Sequence, residues 1–162
     1  MKFSQSVDLA IHSLVYIAHN STGEPVMIRE LARSVRASES YLAQVMLQLV
    51  RVGFVNSIRG RGGGFVFRKS PDQITIADVV MAIDRDAAQF VCPWEERGCE
   101  IREKDCPLRS LFCKAQQQMF NVLNTMSIGD IAAFHTFHSR EQGKTWLNTA
   151  DSTAVNEADD KK

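Results

Sequence analysis

The cysteines of this chain recur at equal steps of seven residues, at Cys92, Cys99, Cys106 and Cys113. Thiolates are the usual ligands of iron–sulfur clusters, they also bind zinc, and they form reversible disulfides. Prolines and a glycine lie between the cysteines, so one continuous helix cannot align them on a single face. The cysteines therefore have to converge by local folding, and their spacing predicts a thiol-based site.

Three kinds of thiol chemistry suit this pattern. An iron–sulfur cluster comes first, because such clusters are held by cysteine thiolates. Zinc fits less well, since six intervening residues differ from the short Cys-x2-4-Cys knuckle. The third is a metal-free thiol–disulfide switch with Cys113 as the resolving thiol, although its place inside an apolar helix favours a buried position. A redox enzyme is not indicated, because there is no Cys-x-x-Cys motif.

A basic, glycine-rich segment precedes the cysteines, and residues 59–64 read Arg-Gly-Arg-Gly-Gly-Gly. The whole chain has no net charge, yet residues 29–69 carry eight basic and two acidic side chains, a local charge of +6. A basic block in a neutral protein is typical of a surface that binds phosphates. The alternative is a basic surface that faces only solvent.

Apolar periodicity predicts a mainly α fold with a small β wing. Ser38 is a suitable N-cap and Gly53 a suitable end for the third helix. The order of three helices and a two-stranded wing is that of a winged helix-turn-helix, followed here by a long helix. The predicted elements are helices over about 4–20, 26–35 (with a short strand at its start), 38–52, 75–83 and 107–125, strands over 54–58 and 65–68, and a short helix that begins at 127.

In a winged helix-turn-helix, the third helix enters the major groove and its exposed N-terminal side chains meet base edges. The glycines of the wing allow positive φ and a close approach of the backbone to DNA, while arginines at its tip suit a narrow minor groove or nearby phosphates. The alternatives are a merely flexible hairpin or a nucleotide-binding loop, and the latter lacks a Gly-Lys-Ser/Thr motif. The predicted DNA-binding residues are Ser38, Ser40, Tyr41, Gln44, Arg59, Gly60 and Arg61.

The length of 162 residues and the 44% hydrophobic content suit one domain with appended pieces. No apolar run approaches a membrane span and the N-terminus lacks a signal-peptide pattern, so we expect a cytoplasmic protein. The predicted units are a winged helix-turn-helix over 1–84, a cysteine-bearing loop over 85–106, the long helix and a short C-terminal helix over 107–147, and a disordered tail over 148–162.

Several stretches of the chain resemble the Rrf-two family of bacterial winged-helix transcription regulators, which includes IscR-, NsrR- and RsrR-like cluster sensors. The resemblance extends over about residues 1–134 and is most specific in the wing. It rests on Glu30-Leu31-Ala32, on Ser38-x-Ser40-Tyr41-Leu42, on Gly53-Phe54-Val55 and on the run from Arg59 to Phe65.

The resemblance implies a homodimer that is formed by the long helix and binds a pseudo-palindromic operator in double-stranded DNA. It also implies a 2Fe-2S cluster held by Cys92, Cys99 and Cys106. Asp8 matches an acidic ligand that comes from the first helix of the other subunit, and His12 matches a ligand of RsrR-like members. From the residues alone, Asp8 and His12 are an i, i+4 pair that could simply be solvated.

These observations predict a homodimeric, DNA-binding transcription regulator, a repressor and not an enzyme. Its operator binding would be controlled by an iron–sulfur cluster that senses redox state, nitric oxide or iron. The alternative is a cluster-free regulator of the same fold that is controlled by thiol oxidation or by a partner protein.

Overall fold

The computed structural model describes residues 3–20, 23–85 and 106–134 of the chain. It is mostly helical with a two-stranded sheet, which confirms the predicted fold class. A short 3-10 turn, Pro71–Gln73, was not predicted. The elements are α1 (Gln5–His19), α2 (Ile28–Ser34), α3 (Glu39–Arg51), β1 (Val55–Ile58), β2 (Gly64–Phe67), α4 (Ile76–Ile83) and α5 (Pro107–Leu123), and residues 128–134 are helical as well.

Helix α3 begins and ends where the sequence predicts. The Ser38 hydroxyl accepts a hydrogen bond from the Tyr41 amide at 3.3 Å, which satisfies one of the free donors of the first turn. Gly53 follows the last turn with a φ of +81°, in the left-handed region that favours glycine. The turn between α2 and α3 uses Arg36 at a φ of +52°, which is uncommon for a residue with a side chain.

The wing is a regular antiparallel hairpin in which Val55 lies opposite Phe67 and Ile58 opposite Gly64. It is fastened to the helices by an isolated bridge, since Val26 and Phe65 exchange two backbone hydrogen bonds at 3.0 and 2.9 Å. A Cβ atom at Gly64 would collide with the carbonyl group of Val26. Glycine at this position therefore permits the backbone approach that holds the base of the wing.

One hydrophobic core joins the helices to the wing. The segment 128–134 is part of it, because Ile128 is fully buried and Ala132 nearly so. The sequence pattern assigns this segment to the C-terminal unit, whereas Ile128 and Ala132 pack in the core of the winged helix-turn-helix. We call the winged helix-turn-helix, residues 1–84, the head. The largest fully buried side chains include Leu14, Leu31, Leu42, Met46, Leu49, Ile74 and Ile128.

Two helix N-termini are joined beside this core. The Ile76 amide donates to the Met126 carbonyl at 3.0 Å, and the Ile128 amide donates to the Ile74 carbonyl at 2.8 Å. Each helix start also has a reciprocal cap. The caps pair Thr75 with Asp78 and Ser127 with Asp130.

The cap at residue 130 has an electrostatic consequence. Hydrogen bonds from the Ser127 hydroxyl and then from its backbone amide hold the pKa of Asp130 below its usual range. Because the folded-state pKa is lowered, this contribution to stability is present above the unfolded-state pKa and is lost as the pH falls through the folded-state pKa.

A phenol–carboxylate pair ties α1 to α2. The Tyr16 hydroxyl donates to the Glu30 carboxylate at 2.8 Å. Burial, together with the hydrogen bond and the negative charge of Glu30, raises the pKa of Tyr16 to about 12. The phenol therefore keeps its proton, and remains the donor of this bond, at neutral pH.

Helix α5 contrasts with the rest of the structure because none of its residues is buried. It contacts α4, but its large apolar side chains are mostly left open. The prediction that Cys113 is buried was wrong: this thiol is exposed, because α5 touches its own protomer along only part of its surface. In the described part of the chain, no helix is both long and apolar enough to cross a membrane.

We predict that Ser13→Ala stabilises the protein. The Ser13 hydroxyl is completely buried in α1 and has no hydrogen-bond partner among the described residues. An unsatisfied buried polar group costs about 1–3 kcal/mol, and alanine is also the better helix former. We expect the free energy of unfolding in urea to rise by about 1 kcal/mol or more. The control is Ser110→Ala at an exposed position of α5, where the change in unfolding free energy reflects helix propensity alone. A loss of stability in Ser13→Ala would contradict the prediction.

Candidate nucleic-acid interface and thiol site

The exposed face of α3 forms the first part of the candidate DNA interface. Ser40 and Gln44 lie one turn apart on this face and are both exposed. Leu47 and Arg51 continue it toward the end of the helix, and both are exposed as well. Leu47 is not among the predicted DNA-binding residues, because an apolar residue in a helix is ordinarily assigned to the core.

Three of the predicted DNA-binding side chains also have partners inside the protein. The Ser38 hydroxyl caps α3, as described above, and lies 3.5 Å from the Ser40 hydroxyl. The hydroxyl of Tyr41, a residue that is 38% exposed, lies 2.7 Å from the Ser6 hydroxyl of α1. Tyr41 is therefore held at its backbone by Ser38 and at its side chain by Ser6, while the residue stays exposed.

The tip of the wing carries the second part of the interface. Arg59, Gly60 and Arg61 are all exposed, and Gly60 has a φ of +104° that a side chain would strain. The Gly63 amide donates to the Gly60 carbonyl at 2.9 Å and closes the turn. The glycine run thus joins two paired strands and does not open a helix, unlike a nucleotide-binding loop.

The basic block lies at the surface of the same domain. Arg29 forms an exposed ion pair with Glu39 at 3.5 Å, which links α2 to the start of α3. Exposed cations on the helices and on the wing supply the electrostatic attraction that phosphates require. The exposed basic residues are Arg29, Arg33, Arg36, Arg51, Arg59, Arg61 and Arg68.

The candidate thiol site is only partly described. Cys92 and Cys99 lie outside the described residues. Cys106 is the N-cap of α5, where its sulfur accepts a hydrogen bond from the Arg109 amide at 3.5 Å. Its side chain is partly exposed, so a ligand can reach the thiol.

Asp8 and His12 are both exposed on one face of α1. The Nδ1 atom of His12 lies 2.9 Å from the Asp8 backbone oxygen and 3.4 Å from its carboxylate. No three His, Cys, Asp or Glu side chains within 3–20, 23–85 and 106–134 are grouped so as to hold a metal ion. Asp8, His12 and Cys106 therefore do not converge within one protomer.

A three-helix unit with an exposed third helix, a glycine-tipped wing and a basic surface defines a winged helix-turn-helix DNA-binding protein. Residues 3–133 match the model of the Rrf2 family, which is described as an iron-dependent transcriptional regulator. The chain belongs to the Rrf2 family, and it is a DNA-binding transcription regulator and not an enzyme.

Individual relatives agree with this assignment. The chain is 30% identical over 131 residues to the HTH-type transcriptional regulator NsrR of Bacillus licheniformis, which covers 81% of this chain and 92% of that protein. It is 28% identical over 131 residues to the regulator IscR of Cronobacter sakazakii, which covers 81% of this chain and 80% of that one.

Solved structures share the fold. CymR, the global cysteine regulator of B. subtilis, superposes with a TM-score of 0.68 at 23% identity, covering 83% of this chain and 98% of that chain. IscR of T. potens superposes with a TM-score of 0.64 at 20% identity, covering 88% and 91%. At these identities the structural likeness extends to the fold alone.

Proposed function

We propose that this regulator is a homodimeric repressor whose operator binding is controlled by a 2Fe-2S cluster that responds to redox state, nitric oxide or iron. In this proposal residues 1–84 read DNA, residues 85–106 carry cluster ligands, and α5 forms the dimer. The observation that carries the proposal is the combination of a DNA-reading head with Cys106 at the start of an unburied apolar helix.

The exposed apolar side chains of α5 support a dimer. Leu108, Leu111, Ala115 and Val122 follow heptad spacing, and the leucines and the valine are 53%, 62% and 68% exposed. Side chains of this size are ordinarily sheltered from water, and burying each one is worth about 1.5–3 kcal/mol. A second copy of α5 supplies a self-complementary surface that would shelter them.

DNA recognition in this proposal follows from the two exposed parts of the head. The Gln44 amide can form a bidentate pair of hydrogen bonds with adenine, whereas the Ser40 hydroxyl can bond to several different bases and so discriminates little between them. Arg59 and Arg61 would lie in or beside the minor groove next to the half-site. A dimer presents two such heads to half-sites about one helical turn apart, so a change in their separation weakens binding.

The donor set fits a cluster in its chemistry. Cys106 offers an accessible sulfur, Asp8 an exposed carboxylate and His12 an exposed imidazole, while Cys92 and Cys99 would complete the thiol ligands. Since Asp8 and His12 do not group with Cys106 in one protomer, we propose that the non-cysteine ligand comes from α1 of the other subunit. A bound cluster would supply reversible redox chemistry, and its iron atoms would be held by protein thiolates and one non-cysteine ligand that a signal can displace.

The direct test is the absorption spectrum with iron and acid-labile sulfide counts, on protein purified without oxygen. We expect visible bands with equal iron and sulfide. Cys106→Ser should lose most of both, whereas Cys113→Ser, a matched thiol two helical turns away, should keep them. Asp8→Ala and His12→Ala would show which side chain completes the site.

The functional readout is operator affinity before and after removal of the cluster. We expect a change of about 5- to 150-fold, the usual range for coupled sites. Iron-free, colourless protein, or equal operator affinity with and without the cluster, would contradict the proposal.

A second candidate function has its own support. The exposed thiol of Cys113, outside the proposed ligand set, favours a cluster-free regulator of the same fold that is controlled by thiol oxidation, and control by a partner protein is the other cluster-free form of this candidate. Iron-free protein whose operator affinity responds to peroxide would favour oxidation. Iron-free protein that is indifferent to peroxide would favour a partner protein.

A further inference from the structure

The first turn of α1 is hydrogen-bonded to two other parts of the head. The Ser4 amide donates to the carboxylate of Asp84 at 3.2 Å, and Asp84 lies at the end of α4, immediately before the cysteine-bearing part of the chain. Two residues further along α1, the Ser6 hydroxyl lies 2.7 Å from the Tyr41 hydroxyl. This single turn therefore connects the end of α4 to the helix that reads DNA.

Ser6 and the candidate ligands occupy different sides of α1. Ser6 and Asp8 are two residues apart, which places them about 200° apart around a helix with 3.6 residues per turn. Asp8 and His12 share the exposed side, whereas Ser6 is half-buried against α3. Because a helix moves as a rigid unit, a displacement on the Asp8 side is carried to the Ser6 side.

We propose that Ser6 is a positioning residue for DNA binding, because it orients the Tyr41 phenol toward a backbone phosphate of the operator. A phenol oxygen can accept one hydrogen bond while its proton is donated to another group. When Ser6 donates to Tyr41, the phenolic proton is free to bond a phosphate oxygen, and such chains of hydrogen bonds strengthen one another. The position of α1 then sets operator affinity through this pair. The inference rests on the proposed role of α3 as the reading helix.

The test is a double-mutant cycle in the full-length protein, measured as operator affinity by fluorescence anisotropy. The operator is the duplex recovered by selection from random DNA. Ser6→Ala should weaken binding about 3- to 10-fold, as the loss of one hydrogen bond does. In a Tyr41→Phe background Ser6→Ala should have no further effect, because Ser6 acts only through the phenol. Ser6→Thr, which restores a hydroxyl, should return affinity to within about twofold of the wild type.

Controls separate this role from a structural one. Gln5→Ala, at an exposed position of the same turn, should leave affinity unchanged. The slope of log affinity against log salt should stay the same in Ser6→Ala, because no charge is removed. Independent losses from Ser6→Ala and Tyr41→Phe, or a Ser6→Thr variant as weak as Ser6→Ala, would overturn the proposal.

The variant Gln44→Ala shows whether a negative result concerns Ser6 alone or the proposed role of α3 as the reading helix. If Gln44→Ala alters the selected sequence while Ser6→Ala changes nothing, α3 reads DNA and the Ser6 proposal is wrong. If neither variant alters operator binding, the assignment of α3 as the reading helix fails, and the Ser6 proposal fails with it.

Discussion

Leu111→Lys is expected to convert the protein to a monomer and to weaken operator binding by about 100-fold or more. Leu111 is 62% exposed and belongs to the apolar stripe of α5, the heptad-spaced residues Leu108, Leu111, Ala115 and Val122. In the proposed dimer, two lysines would face each other across a closed apolar seam, where a charge is strongly unfavourable. Once the heads separate, the second half-site is no longer bound intramolecularly, and that linkage is worth about 10²- to 10⁴-fold.

Sedimentation velocity and operator anisotropy on the same samples measure both parts of this prediction. Gln117→Lys is the matched control, since it adds the same charge to an exposed position of α5 away from the stripe. It should remain dimeric and bind normally. A dimeric Leu111→Lys variant would show that α5 is not the dimer interface, and a monomeric variant with wild-type affinity would show that one head suffices.

Replacing both wing arginines, Arg59→Ala with Arg61→Ala, is expected to produce the largest loss of affinity among changes in the head. Both side chains are exposed at the tip of a hairpin whose base is fixed to Val26. An arginine that bonds a base edge is worth about 1–3 kcal/mol, and one that contacts a phosphate adds an electrostatic contribution that salt weakens. The slope of log affinity against log salt should fall by about 0.9 for every phosphate that is no longer neutralised.

A double lysine replacement serves as the control for this prediction, because it keeps both charges and loses only the forked geometry of the guanidinium group. It should retain the salt dependence of the wild type. Thermal unfolding should be unchanged in both variants, since neither side chain packs in the core. Unchanged affinity and salt slope in the alanine variant would place the wing away from DNA.

The elements of the fold could be predicted because their signals are local. Ser38 and Gly53 delimit α3 through its own backbone, and the pairing of Thr75 with Asp78 starts α4 in the same way. The short strand at residue 26 was predicted, but its pairing with Phe65 was not, since the partner in a distant backbone pairing leaves no mark in side-chain type. Gly64 is its one indirect sign, but the glycines of the wing predict a close approach to DNA, whereas Gly64 approaches the backbone of Val26.

The sequence predicts which residues of the candidate site are exposed better than it predicts which side chains contact each other. The exposure of Ser40 and Gln44 follows from helical periodicity, which fixes which residues share a face. The partner of Tyr41 on α1 depends on how two helices cross, which one sequence does not encode locally. The burial of Cys113 was wrongly predicted because it was inferred from apolar neighbours in the sequence, which do not fix how much of α5 its own protomer covers.

The paired backbone at residues 74–76 and 126–128 returns the chain to the start of α4 after α5 has ended. Helix α4 itself packs in the core, so it is the segment after α4 that can change in length or sequence while the rest of the core stays the same. Closing a longer loop adds little free energy, about 0.6 kcal/mol for each doubling of its length. A different sensing segment could therefore be grafted between the end of α4 and residue 126 while the candidate DNA interface on α3 and the wing is left intact.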